Sequence, residues 1–311
     1  MGRRRCGGDG MQDRTALGVH VQVPAPFEYE RAESVAEAIE LLERHGADAR
    51  LIAGGYSLLP MMKLRLAQPS VLIDINNVPD LGSIKVEGDE IVIGAMVRHA
   101  DLLDSAILAE HYPIFREAEK VIADPIVRAR GTIGGSFCQA DPSEDLSAVG
   151  SALRGTIVLQ SSAGTRTIPL REFHQGPYET AVEPAEMAVQ VRFPIRPGAG
   201  SAYEKVERRA GDWAVAAAGA FVTLAGSDVA DVGIGLTAVG ARHYTCPEAE
   251  DALRGKPANA ENLRAAAQLC HDLCNPQADQ RGPVDYKRHL ARELVLRALT
   301  RSVARARGEA A

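Results

Sequence analysis

Two short segments in the first half of the chain place a pair of adjacent glycines beside a hydroxyl side chain. The first, LIAGGYSLLP (51–60), reads as a strand that ends at Gly54 and Gly55, with Ser57 after them. Because glycine has no Cβ, backbone N–H groups in such a turn can converge on an anion, and the serine hydroxyl adds a donor. A pyrophosphate would fit there, although an ordinary tight turn is the simpler explanation of one such pair.

The second segment, GTIGGSFCQADPSED (131–145), repeats the glycine pair and continues into an acidic cluster. Two such loops in one domain could grip the two phosphates of a dinucleotide from both sides. A carboxylate could then take a ribose hydroxyl, and Asp145 is placed for that role. The alternative for Asp141, Glu144 and Asp145 is a solvated helix start with Pro142 in its first turn.

Other known site patterns are missing from the sequence or weak. Neither loop has the GxGxxG spacing of the Rossmann fingerprint, and no GxxxxGK motif is present. The glycines of VGIGLTAVG (232–240) are typical of a buried strand. Ser57 lacks a GxSxG elbow, and the eight histidines show no informative partner spacing. Cys270 and Cys274 flank His271 but indicate a half-buried helix stripe, and the five cysteines include no CxxC pair, so we expect any metal in another chain.

Charge and hydropathy argue against nucleic-acid binding and against a membrane span. The net charge of −6 gives no basic surface for a phosphate backbone, so nucleic acid is not an expected partner. The longest strongly apolar stretch, 212–224, is shorter than the roughly 20 residues that a membrane span needs. The opening MGRRRCGGDGMQDRTALG has no apolar region behind its arginines, and we interpret residues 1–20 as a disordered extension.

The periodicity of apolar residues predicts an α+β fold in two parts. A capping box at Ser34 and Glu37 begins a helix that ends at Gly46. The expected elements of the first part are strands at 49–53 and 71–75, a hairpin over 84–93, helices near 98–109 and 112–122, and a second hairpin over 156–170. PIRPGAG (194–200) resembles a linker. Beyond it we expect β-rich segments over 201–240 and helices near 259–274 and 285–307.

The two loops resemble a known pair. AGGYSLLPMMKLRLA (53–67) and RGTIGGSFCQADPSEDL (130–146) are similar to the paired FAD-binding loops of the flavoprotein, or medium, subunits of the molybdenum hydroxylase (xanthine dehydrogenase) family. Further likenesses are FHQGPYETAVEPAEM (173–187), YEKVERRAGDWAVAAA (203–218) and PVDYKRHLARELVLRAL (283–299). The resemblance covers nearly everything from residue 21 onward. Within the family it is greatest to the medium subunits of aerobic carbon monoxide dehydrogenases.

This resemblance implies a fold, a domain division and a set of cofactor contacts. The fold is a PCMH-type (vanillyl-alcohol-oxidase-like) FAD-binding domain, here 21–197, followed by a small α+β domain like the CO dehydrogenase flavoprotein C-terminal domain, here 198–307. The implied FAD contacts in the first loop are Ala53, Gly54, Gly55, Tyr56, Ser57, Leu58 and Leu59. Those in the second loop are Thr132, Ile133, Gly134, Gly135 and Ser136.

Three residues outside the loops are implied as further FAD contacts. Asp145 matches an aspartate near the ribose and adenine side, and Lys205 a lysine near the polar edge of the flavin. A cation there would stabilise negative charge on the reduced ring. Trp213 stands where the carbon monoxide dehydrogenase branch has a tyrosine against the isoalloxazine, and an indole can stack in the same way. The alternatives are a surface lysine and a core tryptophan.

Two positions depart from the resemblance. Tyr56 stands where this branch usually has histidine or glutamine, and Ser136 where asparagine is common. Because such loops bind mainly through backbone N–H groups, we expect FAD binding to tolerate both changes. The departures bear instead on the assignment of the substrate.

The function that the resemblance implies is an oxidoreductase subunit that transfers electrons through FAD and has no catalytic residue of its own. The molybdenum cofactor would lie in a large subunit and the [2Fe-2S] clusters in a small one, assembled as a dimer of heterotrimers in the cytoplasm or at the inner face of the membrane. Carbon monoxide is the favoured substrate and a quinone or similar molecule the acceptor. Aldehyde, nicotinate or purine hydroxylation stays open, as do a stand-alone FAD oxidase and an assembly protein that has lost FAD.

Overall fold

The computed structural model describes residues 23–309, and the extension expected at residues 1–20 lies outside that range. The strands are β1 (Glu28–Arg31), β2 (Ala49–Ile52), β3 (Val71–Asp74), β4 (Ile84–Glu87), β5 (Glu90–Gly94), β6 (Thr156–Ser161), β7 (Gly164–Pro169), β8 (His174–Gly176), β9 (Glu179–Thr180), β10 (Met187–Pro194), β11 (Gly200–Val206), β12 (Ala216–Ala225) and β13 (Asp228–Thr237). The helices are α1 (Val35–His45), α2 (Leu58–Lys63), α3 (His99–Asp104), α4 (Ala106–His111), α5 (Pro113–Val121), α6 (Pro125–Arg128), α7 (Ile133–Gln139), α8 (Asp145–Ala152), α9 (Leu170–Phe173), α10 (Pro247–Leu253), α11 (Ala260–Leu273) and α12 (Val284–Ala306).

A small parallel sheet, in the order β1-β3-β2, positions the first glycine loop. The helix α1 that precedes β2 starts where the sequence predicts, because the Ser34 hydroxyl accepts a hydrogen bond from the backbone N–H of Glu37. The carboxyl ends of β2 and β3 meet at one edge of the sheet. Asn76, just after β3, donates its side-chain amide to the carbonyl of Ala53 at 2.9 Å and so ties the loop to that edge.

A five-stranded antiparallel sheet, in the order β4-β5-β10-β6-β7, forms the larger part of the first domain. Both predicted hairpins are present in it, one turning at Gly88, where φ is +62°, and the other at Gly164. Helices α5, α7 and α8 pack on this sheet through a core that includes Phe115, Phe137 and Phe193. The second glycine loop opens α7 and therefore rests directly on this core.

The C-terminal part is a three-stranded antiparallel sheet, β11-β12-β13, covered by α10, α11 and α12. The segment 232–240 contributes to the buried strand β13, as its glycines indicated. A Cβ built on Gly235 would lie 1.8 Å from the carbonyl oxygen of Ala148 in α8, so only glycine allows α8 to approach the sheet this closely. The predicted helix stripe is also present, since Cys270 and Cys274 are both buried against this core.

Ionic contacts join the two parts. Glu250, 3% exposed at α10, accepts hydrogen bonds from Arg171 at 2.5 Å and 3.1 Å and from Arg154 at 3.4 Å. Both arginines belong to the first part of the chain, and the same carboxylate also accepts from the backbone N–H of Ile234 in β13 at 2.8 Å. The α10 helix is therefore held to both parts by a single buried carboxylate.

Two helix predictions need correction. The stretch predicted as one helix over 98–109 is two helices, because the Ser105 hydroxyl caps the second by accepting from the N–H of Leu108. The interpretation of the acidic cluster as a solvated helix start is wrong for Glu144 and Asp145, which are each only 5% exposed. Pro142 lies before the helix, since α8 begins at Asp145 with Glu144 as its N-cap.

The α+β fold class in two parts is confirmed.

Candidate cofactor site

The two glycine loops are in contact with each other. A Cβ on Gly54 would lie 2.4 Å from the carbonyl oxygen of Arg130, just before the second loop. Arg98 supports this contact, because its guanidinium donates to the carbonyl of Arg130 and, at 2.7 Å, to the side-chain oxygen of Asn76, whose amide in turn holds the carbonyl of Ala53. Two segments about 80 positions apart in the sequence therefore form one wall.

A cavity of about 1170 Å³ lies along this wall. It is slightly larger than the range of roughly 300–1,000 Å³ that small-molecule and cofactor sites commonly occupy. From the first predicted loop it is lined by Ala53, Gly54, Gly55, Tyr56, Ser57 and Leu58, and from the second by Thr132, Gly135 and Ser136. Nine of the predicted contacts thus face one space.

Three loop residues predicted as contacts do not line this cavity, and their positions explain why. Ile133 and Gly134 are buried beneath the loop, where the N–H of Gly134 donates to the carbonyl of Ala95 at 2.9 Å. Leu59 lies under Gly55, with its Cδ1 3.1 Å from where a Cβ of that glycine would be. These three residues support the loops from behind.

The turn of the first loop depends on the backbone conformation of Gly55. Gly55 has φ of +82°, a left-handed backbone that other residues rarely adopt. The carbonyl of Gly55 accepts the N–H of Leu59 at 2.9 Å, which turns the chain directly into α2. The hydroxyl of Ser57 makes no capping bond to that helix within the described residues, so it is available to a ligand.

The second loop uses its two hydroxyl groups differently. Thr132 is 2% exposed, and its Oγ1 caps α7 by accepting from the N–H of Gly135 at 3.1 Å. Ser136 is half-buried at the cavity, and its Oγ lies 3.1 Å from Nε2 of His99. Thr132 therefore shapes the loop, and Ser136 is the hydroxyl that this loop can offer to a ligand.

A histidine and a glutamate that sequence reasoning did not single out stand behind Ser136. Nδ1 of His99 lies 3.0 Å from both carboxylate oxygens of Glu119, whose side chain is fully buried. The Glu119 carboxylate raises the pKa of His99 above its ordinary value against the opposing effect of burial, and burial raises the pKa of Glu119. No local signal reveals this pair, because the partners lie 20 positions apart on different helices.

Asp145 and Lys205 lie together behind the cavity wall. Nζ of Lys205 is 2.9 Å from Oδ2 of Asp145 and 3.3 Å from Oε2 of Glu207, while the hydroxyl of Tyr203 donates to Oδ1 of Asp145 at 2.6 Å. Burial raises the pKa of Asp145, and Lys205 opposes that shift. The resemblance assigns these two residues to different parts of FAD, and the structure joins them in one ion pair.

Glu144 is an acidic group on the cavity surface that the sequence did not assign. Its Oε2 accepts from the N–H of Ser147 at 2.7 Å and from the hydroxyl of the same residue at 2.9 Å. Burial, together with the neighbouring Asp145, raises the pKa of Glu144 to about 7. Near neutral pH this carboxyl is therefore partly protonated, which reduces its repulsion of an anionic ligand.

Trp213 stands apart from the cavity lining. It lies in the loop that joins β11 to β12, with 42% of its surface exposed. Its backbone N–H is held by the carboxylate of Asp212 at 2.9 Å. The side chain thus presents a free indole face, and the interpretation as a core tryptophan is wrong.

Comparison with known proteins shows the family to which this chain belongs. Residues 25–196 match the profile described as the FAD binding domain in molybdopterin dehydrogenase, and residues 201–302 match the CO dehydrogenase flavoprotein C-terminal domain. The chain belongs to the molybdenum hydroxylase flavoprotein family. Its first part is accordingly an FAD-binding domain.

Relatives within this family match along almost their whole length. The chain is 43% identical over 284 residues to the carbon monoxide dehydrogenase medium chain of Hydrogenophaga pseudoflava, covering 91% of this chain and 99% of the relative. It is 40% identical to the medium chain of the same name from Afipia carboxidovorans, covering 92% and 99%. The solved carbon monoxide dehydrogenase of Hydrogenophaga pseudoflava, at 44% identity, superposes with a TM-score of 0.87 over 91% of this chain and 99% of that one.

The residues at the cavity fit the FAD that this family binds. Gly55 and Gly135 leave the backbone of both loops open to a pyrophosphate, and the hydroxyls of Ser57 and Ser136 provide a donor from each loop.

Among residues 23–309, no helix is long and apolar enough to cross a membrane.

Proposed function

We propose that this chain holds one non-covalent FAD between its two glycine loops and serves as the electron-transfer subunit of a carbon monoxide dehydrogenase. The observation that carries the proposal is the meeting of Gly54 with the carbonyl of Arg130, which brings both loops to one cavity. The likeness to medium chains of carbon monoxide dehydrogenases along nearly their full length supports the substrate.

The chemistry is divided between subunits. A molybdenum-containing large subunit would oxidise carbon monoxide with water to carbon dioxide, releasing two protons and two electrons, and a small subunit with [2Fe-2S] clusters would conduct the electrons. Bound FAD would supply a ring that accepts two electrons from the clusters and passes them on to a quinone or similar acceptor. This chain binds and orients that ring, with the donors of Ser57 and Ser136 on the pyrophosphate and Trp213 against the isoalloxazine.

The assembly and the domain division are parts of the same proposal. We infer a dimer of heterotrimers, placed in the cytoplasm or at the inner face of the membrane through its partners. The division at residues 197/198 is supported by the sheets, since β10 and β11 on its two sides belong to different ones. Aldehyde, nicotinate or purine hydroxylation in the large subunit is the alternative for the substrate, because Tyr56 and Ser136 at the cavity depart from the residues usual in the carbon monoxide dehydrogenase branch.

The first experiment tests the cofactor. The purified complex is precipitated with acid, and the supernatant is separated by HPLC. We expect one FAD per chain, released intact into the supernatant, because acid denatures the protein and frees a cofactor that is not covalently bound. Flavin that stays with the pellet, or the absence of flavin, would contradict the proposal.

The second experiment separates electron transfer from a stand-alone oxidase. In anaerobic stopped-flow measurements the flavin of the isolated chain should stay oxidised with carbon monoxide. It should be reduced, together with bleaching of the iron–sulfur bands, when both partner subunits are present. Rapid reduction of the isolated chain by a small organic substrate would favour the oxidase. An assembly protein would hold no flavin in either sample.

A further inference from the structure

Glu119, His99 and Ser136 form a continuous hydrogen-bonded array that ends at the cavity. The carboxylate contributed by α5 contacts Nδ1 of the imidazole at 3.0 Å, and Nε2 on the other side of the ring contacts the Ser136 hydroxyl at 3.1 Å. The three groups come from three different helices, α5, α3 and α7.

The array has little freedom to rearrange. The side chain of His99 is 6% exposed, and its backbone N–H donates to the carbonyl of Gly131 at 3.2 Å. A Cβ on Gly131 would lie 2.8 Å from Cδ2 of the ring, so the imidazole packs directly on the backbone of the second loop. We assign the Nδ1 proton to the hydrogen bond with the Glu119 carboxylate, which leaves Nε2 as the nitrogen whose protonation changes with pH.

The charged groups around the ring favour its protonated form. Glu119 has the largest such effect, and Glu144 and Asp145, both on the α8 side, act in the same direction. Arg128 acts on Glu119, and Lys205 offsets much of the charge of Asp145. Burial opposes protonation, but the net direction is a raised pKa for His99.

We propose that this array is a protonation switch for cofactor binding, in which Ser136 offers its hydroxyl proton to an anionic group of bound FAD only while His99 is protonated. Protonated His99 donates from Nε2 to a lone pair of Ser136 Oγ, which leaves the hydroxyl proton free to point into the cavity. Neutral His99 accepts that proton instead. The oxygen lone pairs of Ser136 then face the cavity and repel a phosphate.

The direction of the pH effect follows from this geometry. FAD binds most tightly below the pKa that His99 has in the free protein, and the advantage is lost progressively as the pH rises from that pKa to the higher pKa of His99 in the bound state. An anion at Ser136 also raises the pKa of His99, and each unit by which bound and free values differ changes the dissociation constant about tenfold. The inference rests on the proposed function, because it requires that FAD occupy this cavity.

The experiment measures the dissociation constant of FAD for the full-length apo chain by flavin fluorescence between about pH 6 and about pH 9, which spans the range where histidine titrates. For the unaltered chain we expect the constant to rise about tenfold across the His99 titration. The matched variant is Ser136→Asn, whose amide donates a hydrogen bond whatever the charge of His99. It should bind FAD with little dependence on pH. Ser136→Ala should bind weakly at every pH.

Glu144 also titrates at the cavity, with its pKa raised to about 7. It is present in both the unaltered chain and Ser136→Asn, so the difference between their pH profiles isolates the switch. Glu119→Gln should move the loss of affinity to lower pH, because His99 loses its carboxylate partner. If Glu119→Gln does not fold, the pH profiles of the unaltered chain and Ser136→Asn still test the switch.

Two outcomes overturn the switch, namely a pH-independent constant for the unaltered chain or an unchanged pH dependence in Ser136→Asn. Failure of every form to bind FAD at any pH would instead overturn the proposed function. A flat profile in Ser136→Asn beside a sloping profile in the unaltered chain supports the switch.

Discussion

Lys205 and Asp145 form a buried ion pair in which the ammonium nitrogen lies 2.9 Å from a carboxylate oxygen. Their side chains are 2% and 6% exposed, and Lys205 also donates to the carbonyl of Val121 at 3.0 Å. The sequence resemblance treats the two residues as independent contacts at different parts of FAD. The structure makes them one charge unit behind the cavity wall, so neither can be altered without affecting the other.

Lys205→Met should therefore destabilise the fold strongly, because it leaves the buried carboxylate of Asp145 without its cation. Removing one partner of a buried pair costs about 3–5 kcal/mol. Urea unfolding of the apo chain measures the loss, and the double variant Lys205→Met, Asp145→Asn should recover a large part of it. Lys85→Met, at an exposed pair with Glu87, is the control and should change stability by less than about 1 kcal/mol.

Substitutions at the same two positions also test the contact of Lys205 with the flavin. Lys205→Ala is predicted to lower the midpoint potential of bound FAD, since removing a cation disfavours the more negative reduced ring. The double variant removes both charges and should shift the potential less. Equal shifts in the single and double variants would mean that Asp145 does not screen Lys205, and a raised potential in Lys205→Ala would contradict the predicted role of the lysine.

Gly134 and Gly135 are adjacent and should respond to substitution in different ways. A Cβ on Gly134 would lie 2.7 Å from the carbonyl oxygen of Ala95, so Gly134→Ala should lower the unfolding midpoint in urea. Gly135 faces the cavity, and a Cβ on it would contact only Oγ1 of Thr132, at 2.9 Å. Gly135→Val should cost less stability than Gly134→Ala, because the side-chain oxygen of Thr132 must shift but no backbone atom must. It should weaken FAD binding at least about tenfold, as loss of close phosphate approach predicts.

Titration of FAD into both variants, with unfolding curves measured in parallel, separates the two effects. Gly55→Val provides a reference for the first loop, because its φ of +82° is unfavourable for a β-branched residue. Wild-type FAD affinity in Gly135→Val would contradict the assignment of the second loop to the pyrophosphate.

Glu144 should make the stability of the apo chain depend on pH. Its pKa is raised from an ordinary value of 4.5 to about 7, so the folded state binds this proton more tightly than the unfolded state does. Its contribution is therefore complete below about pH 4.5 and is lost as the pH rises towards about 7. Glu144→Gln cannot titrate but can still accept the N–H of Ser147, so its stability relative to the unaltered chain should rise across that interval by about 3 kcal/mol.

Unfolding in urea at several pH values checks this difference, and Glu248→Gln, which removes a carboxyl at an exposed position in α10, is the control. A constant offset between Glu144→Gln and the unaltered chain from pH 4.5 to 7 would show that the carboxyl titrates normally.

Local features of the fold follow from the sequence, whereas the contacts that shape the site do not. The cap at Ser34 and the turn at Gly88 depend on residues within a few positions, so periodicity and capping rules place α1 and the first hairpin correctly. The break at Ser105 escapes them, because a serine inside a helical pattern is compatible with both one helix and two.

The pairs behind the cavity have no local signature. His99 meets Glu119 across 20 positions and Lys205 meets Asp145 across 60, so only the packing of α3, α5, α8 and β11 brings them together. The resemblance assigns both glycine loops to FAD, and the structure brings residues of both to one cavity. It cannot separate Gly135, which faces the cavity, from Gly134, which supports the loop, since both occur in the same motif.

Trp213 offers a direct test of where the flavin ring lies, because it is the single tryptophan of the chain. The resemblance places its indole against the isoalloxazine, and the exposed face on the β11–β12 loop leaves room for such stacking. Addition of FAD to the apo chain should quench the tryptophan emission strongly and saturably. Free tryptophan at the same absorbance corrects for light absorbed by FAD, and Trp213→Tyr should bind FAD with similar affinity because a phenol ring can also stack. If the emission stays unchanged while FAD saturates the site, the ring does not contact this loop, and Trp213 instead belongs to the exposed surface available to a partner subunit.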